Sequence, residues 1–544
     1  MSDSPQSPAK YNMIYGGMSI IRKIVGPPSP SWIFGHMLQL TLPRRFGAGF
    51  GEFEFKWLKL YGPVYRIKAC FGQDRLMIAD PVALQYIFNS PDFEKGPTRD
   101  MLLHLMNGDL SLSCVKGKII PPSNTWQNVL NHLYNIGDTH KRFRAAMNNK
   151  FNAPIVRRYQ SVFESLAHEA TLRPIGDHVD TNGRCLATAG GCNIERNMSK
   201  YDMLIFGISL KDLGEELISS NSQILSPLAA SLSAASILVD AIRVRLPSWV
   251  SVIASLLPTP AFTVIRKNRY LASQLGSRIV HEKMNAARKG LDIDNDIYGL
   301  LVATGHLEAR KSAGMSPDEI AGQAPLLLIA GQDTTANAVS FALLELARNP
   351  ETQDQLRAEI QVMLSERSTN VAYDNMPLLN AFIKEVLRVF SAGPIKERMA
   401  VRDAIIPLKE RIITASGEQI TAIPVSKGEV VIVAPASYHR LASRWGSDAH
   451  EFKPSRWLDG TASQTDAIGP YANLLTFLAG GRTCLGWRFA ILEMQVLLFE
   501  LVRKFSFALT PDSGSVVQPR VTGVLMPTLS NGKRSLPLCV KKIE

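Results

Sequence analysis

The chain has 544 residues, 46% hydrophobic and 20% charged, a balance that supports a large buried core and excludes a disordered chain. Its formal net charge of +12 comes from scattered lysines and arginines without a basic block interleaved with aromatics, which excludes a nucleic-acid surface and favours an acidic partner. Six cysteines, Cys70, Cys114, Cys185, Cys192, Cys484 and Cys539, form neither a zinc-type spacing nor a disulfide framework, so a reducing compartment is expected.

Residues 1–26 hold no run of 18 apolar residues, and the stretch 13–25 is broken by Arg22 and Lys23, so neither a membrane span nor a signal peptide is readable. Gly26-Pro27-Pro28-Ser29-Pro30 reads as a stiff hinge, and no later linker divides residues 27–544, which are expected to form one domain. Over 61–87 the pattern predicts a hairpin of residues 64–68 and 76–78, then a helix over 81–88. Residues 114–136, with Trp126, Leu130 and Leu133 at helical spacing, read as an insertion, either a longer lid or retained intron sequence. Residues 176–213, with Cys185 and Cys192, show no assignable pattern. The stretch 246–264 is uncharged but carries Pro247, Pro258 and Pro260, which argues against a simple spanning helix. It reads either as buried core or as a membrane-surface contact through Trp249.

Ser316-Pro317-Asp318-Glu319 is a helix start with a capping box and proline at the first position. The helix is expected to run to Arg348, about 32 residues or about 48 Å, with a bend at Pro325. A further helix is predicted over 377–390 and short strands over 405–433.

The most informative stretch is Phe477-Leu478-Ala479-Gly480-Gly481-Arg482-Thr483-Cys484-Leu485-Gly486. A cysteine thiolate on haem iron pushes electron density toward bound dioxygen and favours O–O cleavage. Gly480 and Gly486 would let backbone approach a macrocycle, Arg482 could fork onto a propionate, and Phe477 would shield the sulfur. The plainer alternative is a structural cysteine between loop glycines.

This stretch matches Phe-x-x-Gly-x-Arg-x-Cys-x-Gly throughout, and the chain thereby resembles the cytochrome P-450 family, most specifically over residues 316–502. The resemblance implies a mainly α fold with a long central helix and a small β-rich region. It implies haem b held by the Cys484 thiolate, with no bound flavin. Ala330-Gly331-Gln332-Asp333-Thr334-Thr335 is similar to the family's oxygen-binding motif. There Gly331 would open a groove for dioxygen, Thr334 would hydrogen-bond the reacting oxygen and Asp333 would relay protons as a general-acid device. The plainer reading of that patch is local side-chain bonding within a helix. Glu385 and Arg388, three apart on one helix face, would be joined by Arg456 of Phe452-Lys453-Pro454-Ser455-Arg456-Trp457 to hold the ligand loop. Arg398, four residues after Pro394, and Arg144 would bind propionates, with His140 standing where the family carries tryptophan.

The implied reaction inserts one atom of O2 into a small hydrophobic substrate, with electrons from NADPH through a cytochrome P-450 reductase. Lys396-Glu397-Arg398, Pro407-Leu408-Lys409 and 436–441 resemble microsomal enzymes of filamentous fungi, especially mushrooms, many of which tailor terpenoids. The implied location is the cytosolic face of the endoplasmic reticulum membrane. Two alternatives stay open: a haem- or lipid-binding protein that has lost turnover, and a peroxide-using or isomerase relative.

Overall fold

The computed structural model describes residues 19–543 except 97–102, 109, 115–135, 173–184, 189–232, 247–258, 292–295, 309–313, 367–370, 461–467, 511–516 and 533. The reading of 114–136 as an insertion, most of 176–213 and most of 246–264 therefore lie outside the described residues.

The main sheet has the order β1-β2-β8-β5-β3, built from β1 (Val64–Lys68), β2 (Asp74–Ile78), β3 (Phe93–Lys95), β5 (Lys396–Ala400) and β8 (Val430–Val433). Only the β2–β8 pairing is parallel; it aligns Met77 with Ile432. The remaining strands are β4 (Cys185–Thr188), β6 (Ala404–Ile413), β7 (Gln419–Val425), β9 (Phe505–Leu509), β10 (Gln518–Thr522), β11 (Val524–Thr528) and β12 (Pro537–Lys542). They form the hairpins β6-β7 and β10-β11 and an antiparallel sheet β4-β12-β9, so Cys185, unassigned from the sequence, lies in an edge strand. Ile20, Ile21 and Ile24 are buried in one cluster with Ile406 and Ile423. Among the described residues, core packing thus already includes this apolar triplet ahead of Gly26, because the β6-β7 hairpin covers it.

Helix α1 (Pro81–Asn89) is capped by Asp80, whose carboxylate accepts the Ala83 N–H at 2.9 Å. The helices that frame the site are α2 (Ile136–Asn148), α3 (Gln160–Leu172), α4 (Ala234–Arg243), α5 (Pro260–Arg288), α6 (Pro317–Ala321), α7 (Ala324–Arg348), α8 (Pro377–Val389) and α9 (Trp487–Lys504). Residues 336–347 of α7 and 491–502 of α9 are buried almost without interruption, so these helices are covered on every side and run through the core, with Asn337 and Glu493 among the polar residues buried along them. Phe489 of α9 is held edge-on by Phe151, Tyr159 and Phe163 at centroid distances of 6.4, 6.1 and 5.0 Å.

The single helix expected over 316–348 is two. The Ser316 capping box forms as expected, with Glu319 closing it, but α6 ends at Ala321 and α7 begins at Ala324. Proline has no N–H and clashes with the preceding turn, so the chain restarts with Pro325 in the first turn, where neither defect costs anything. The joint is locked by buried Gln323. Its Nε2 donates to the Leu110 and Glu319 carbonyls at 2.6 and 2.9 Å, and its Oε1 accepts the Leu112 N–H at 2.8 Å. Glu319 also takes a bidentate pair from Arg142 of α2, at 2.9 and 2.5 Å.

Candidate active site

The loop before α9 is tied down ahead of its cysteine. His439 Nε2 accepts the Leu475 N–H at 2.8 Å, and Thr476 Oγ1 donates to the Leu387 carbonyl of α8 at 2.6 Å. Buried Phe477 returns its carbonyl to the Cys484 N–H at 2.8 Å, closing the loop. Gly480 has φ +65°, and a Cβ there would sit 2.0 Å from the Phe88 carbonyl oxygen, so only glycine lets this loop rest on the end of α1. Gly486 differs from expectation: its φ is −87° and a Cβ would meet only Phe151, at 3.9 Å, so the polypeptide itself does not demand glycine there.

Cys484 is solvent-accessible, yet protein encloses it closely enough that burial raises its thiol above the ordinary value. The Gly486 backbone N–H and the Arg144 guanidinium oppose burial and favour the thiolate.

A basic cluster adjoins the sulfur. His140 and Arg144 are one turn apart on α2 and share a face. Burial first, then Arg482, Lys95 and Arg144, push the His140 imidazole down to about 4, so it is neutral near pH 7. Lys95 of β3 pairs in register with Arg398 of β5, whose buried guanidinium lies 5.3 Å over the Phe88 ring and donates to the Glu397 carbonyl at 2.9 Å. Arg144 of α2 thus stands by the thiol, Lys95 of β3 and Arg482 of the cysteine loop stand with it by His140, and Arg398 of β5 joins them through Lys95, a donor set that fits haem b: one axial sulfur, and basic groups for two propionates. Lys95 was missed because nothing in a three-residue strand marks it; only the strand register brings it to the site.

On α7, Ala330 is exposed and Gly331 and Thr334 are half-buried. The Thr334 hydroxyl donates to the Ala330 carbonyl at 2.8 Å, which places residues 330 and 334 on one accessible face. Asp333 turns to another face. It is buried, and its Oδ1 accepts Arg534 Nη1 at 3.3 Å. Burial raises the Asp333 carboxyl to about 7 even with that guanidinium beside it, so desolvation outweighs a single long contact. Such a carboxyl exchanges protons near neutrality, which suits a general acid. On the far side, buried Thr335 faces Glu493 of α9, which burial raises to about 8 and the Thr335 hydroxyl draws down.

Glu385 gathers the expected network and more. Arg388 grips it with Nε and Nη2, both at 2.8 Å, and Arg456 Nε adds a bond at 3.0 Å. Trp457 Nε1 and the Lys453 N–H complete it at 2.9 and 2.7 Å, so neither carboxylate oxygen is left bare. Arg388 Nη1 also donates to the His439 and Ala449 carbonyls, at 2.8 and 2.6 Å. Through His439 the network reaches the cysteine loop.

A cavity of about 600 Å³ lies elsewhere, lined by Met37, Phe53, Arg75, Asp240, Glu397 and Arg520 among others, and it includes none of the cysteine-loop or α7 residues. Among the described residues no helix is long and apolar enough to cross a membrane.

The family model described as Cytochrome P450 matches residues 123–532. Cytochrome P450 monooxygenase 205 of Postia placenta is 26% identical over 543 residues, covering 96% of this chain and 93% of that protein. Cytochrome P450 monooxygenase claQ of Ampulloclitocybe clavipes is 27% identical, covering 95% and 93%. Among solved structures, retinoic acid-bound cyanobacterial CYP120A1 superposes with a TM-score of 0.66 at 19% identity, covering 96% of this chain and all of that one. With that architecture and a family match over most of its length, the chain belongs to the cytochrome P450 family.

Proposed function

We propose that the chain is a haem-thiolate monooxygenase that places one oxygen atom of O2 into a small hydrophobic substrate, a terpenoid or related secondary metabolite of a fungus. The observation that carries the reading is the placement of Cys484 beside Arg144, with the Gly486 N–H favouring its thiolate and the basic cluster round His140 adjoining it. When bound, haem supplies the activation of O2. Cys484 would be its axial ligand, and His140, Arg144, Arg398 and Arg482, with Lys95, would hold its propionates. Phe477, whose carbonyl accepts the Cys484 N–H, would shield the sulfur. Thr334 presents a hydroxyl on the accessible face of α7, and Asp333 holds a proton at its carboxyl near neutral pH. Electrons would come from NADPH through a flavoprotein reductase, whose acidic face suits a chain of net charge +12.

The test is the difference spectrum of the reduced, carbon-monoxide-bound protein, followed by turnover with reductase and NADPH. A strongly red-shifted Soret band, lost in Cys484→Ser, and substrate-dependent NADPH consumption support the reading. Product from peroxide alone points to a peroxide-using relative, and no turnover with any substrate points to a binding protein.

We also place the chain at the cytosolic face of the endoplasmic reticulum membrane. Trp32 and Ile33, and Val239, Ile242 and Leu246 in and after α4, are exposed. The two groups adjoin, because the Phe71 ring takes Trp32 edge-on at 5.9 Å and Arg245 over its face at 4.9 Å. An apolar patch edged by arginine suits a lipid interface. Flotation of the full chain with liposomes, weakened by Ile242→Ser with Trp32→Ser, checks this; binding unchanged in the double variant removes it.

A further inference from the structure

Arg534 lies outside every sequence motif. Its backbone forms an antiparallel bridge with Thr528, across the turn that leads from β11 toward β12. Gly532 in that turn has φ +85°, a left-handed backbone that favours glycine. Strand β11 packs against α7. From this anchored base the guanidinium reaches α7 with both arms, Nη1 to Asp333 Oδ1 at 3.3 Å and Nη2 to Asn337 Oδ1 at 2.9 Å. Asp333 and Asn337 are one turn apart and share a face. Adjacent residues of a helix lie about 100° apart round its axis, so this face sits next to the one carrying Thr334.

We propose that Arg534, steadied by Asn337, is the positioning residue for the Asp333 carboxyl, fixing one of its oxygens and stabilising the carboxylate left behind each time its proton has gone. This rests on the reading of Asp333 as the proton source. In each cycle an O–H bond at Asp333 breaks, the proton passes toward the Thr334 face, and solvent water returns a proton to the carboxylate. Without a cation beside it, a carboxylate in this buried place gives up its proton less readily. The charged groups facing this part of α7 include Arg534 from the β11–β12 turn and Glu493 of α9, which abuts Thr335 rather than Asp333. Burial raises Asp333 to about 7 and lowers Arg534 only to about 10, so near neutral pH the guanidinium stays charged beside a carboxyl that titrates.

The experiment compares the holoenzyme with Arg534→Gln, Arg534→Lys and Asp333→Asn. Folding and haem binding are first established from the reduced carbon-monoxide spectrum. Infrared difference spectra over a pH titration then follow the protonated carboxyl band that disappears in Asp333→Asn. In Arg534→Gln that band is expected to persist about one pH unit or more higher, as loss of an adjacent cation requires; in Arg534→Lys it should return toward the wild-type position. Product formed per NADPH consumed should fall several-fold in Arg534→Gln and recover in Arg534→Lys, with the substrate-induced Soret shift unchanged. A titration in Arg534→Gln that coincides with wild type overturns the proposal. A shifted titration with unaltered coupling in Asp333→Asn would instead remove Asp333 as the proton source while leaving the pairing established.

Discussion

His439 accepts the Leu475 N–H through Nε2 at 2.8 Å while its own carbonyl accepts Arg388. One residue therefore joins the buried Glu385 cluster to the loop that carries Cys484. The acceptor role requires a neutral imidazole. Burial first, then Arg388 and Arg440, hold its pKa well below 6.5.

A base with a lowered folded pKa contributes stability that is complete above the ordinary value of 6.5 and is lost as pH falls below it. The haem-loaded protein is expected to lose its thiolate spectrum on acidification from pH 6.5. His439→Gln, whose amide oxygen can accept the same N–H without titrating, should flatten that dependence. Carbon-monoxide spectra collected against pH check this.

Removing one member of a buried, fully bonded charge cluster leaves the rest uncompensated. Arg456→Ala, and still more Glu385→Ala, should each cost about 3–5 kcal/mol of stability. Urea unfolding reads the cost, and haem retention should fall in parallel, since the same cluster holds the cysteine loop.

Gly480→Ala and Gly486→Ala separate two uses of glycine. At 480 the methyl meets the Phe88 carbonyl in a left-handed backbone, so a destabilisation of about 1–3 kcal/mol from overpacking is expected. At 486 the methyl meets no protein atom closer than 3.9 Å, so haem-free protein should unfold as wild type does, and any defect should appear only in haem loading. Thermal unfolding with and without haem distinguishes them.

Glu493 should make the protein weaker in alkali. Its carboxyl is raised from 4.5 to about 8, so its neutral form favours the fold below 4.5 and stability is lost as pH rises toward about 8. Glu493→Gln keeps the shape without the charge and should remove that slope. Melting temperatures from pH 4 to 9 would show the two curves diverging from about 4.5 and running parallel above about 8.

What could be read from the chain was local. The cysteine loop, the Asp333-Thr334 pair and the Glu385-x-x-Arg388 spacing each compress their chemistry into a few residues, and Ser316 announces its helix by the side chain that caps it. Pro325 was read as a bend because it lies inside an apolar run, but proline tolerates a first turn better than an interior, and the chain took that option. Lys95 and Arg534 act through strand register or packing from positions distant in sequence, so no motif contains the pairing, while Trp457 stands inside a motif that does not reveal its indole bond to Glu385. Gly486 shows the opposite error: a motif position whose need does not come from the protein's own atoms.

Gln323 gives the broken central helix a mechanical meaning. Its amide stitches residues 110–112 to the joint between α6 and α7, and Asp333 follows ten residues later, about 15 Å along the axis. Any displacement of the 110–112 segment must therefore pull on the first turn of the helix that carries Asp333. The 110–112 segment and the helix that carries Asp333 share one tether, and lengthening or severing it should loosen their mechanical coupling while leaving each in place.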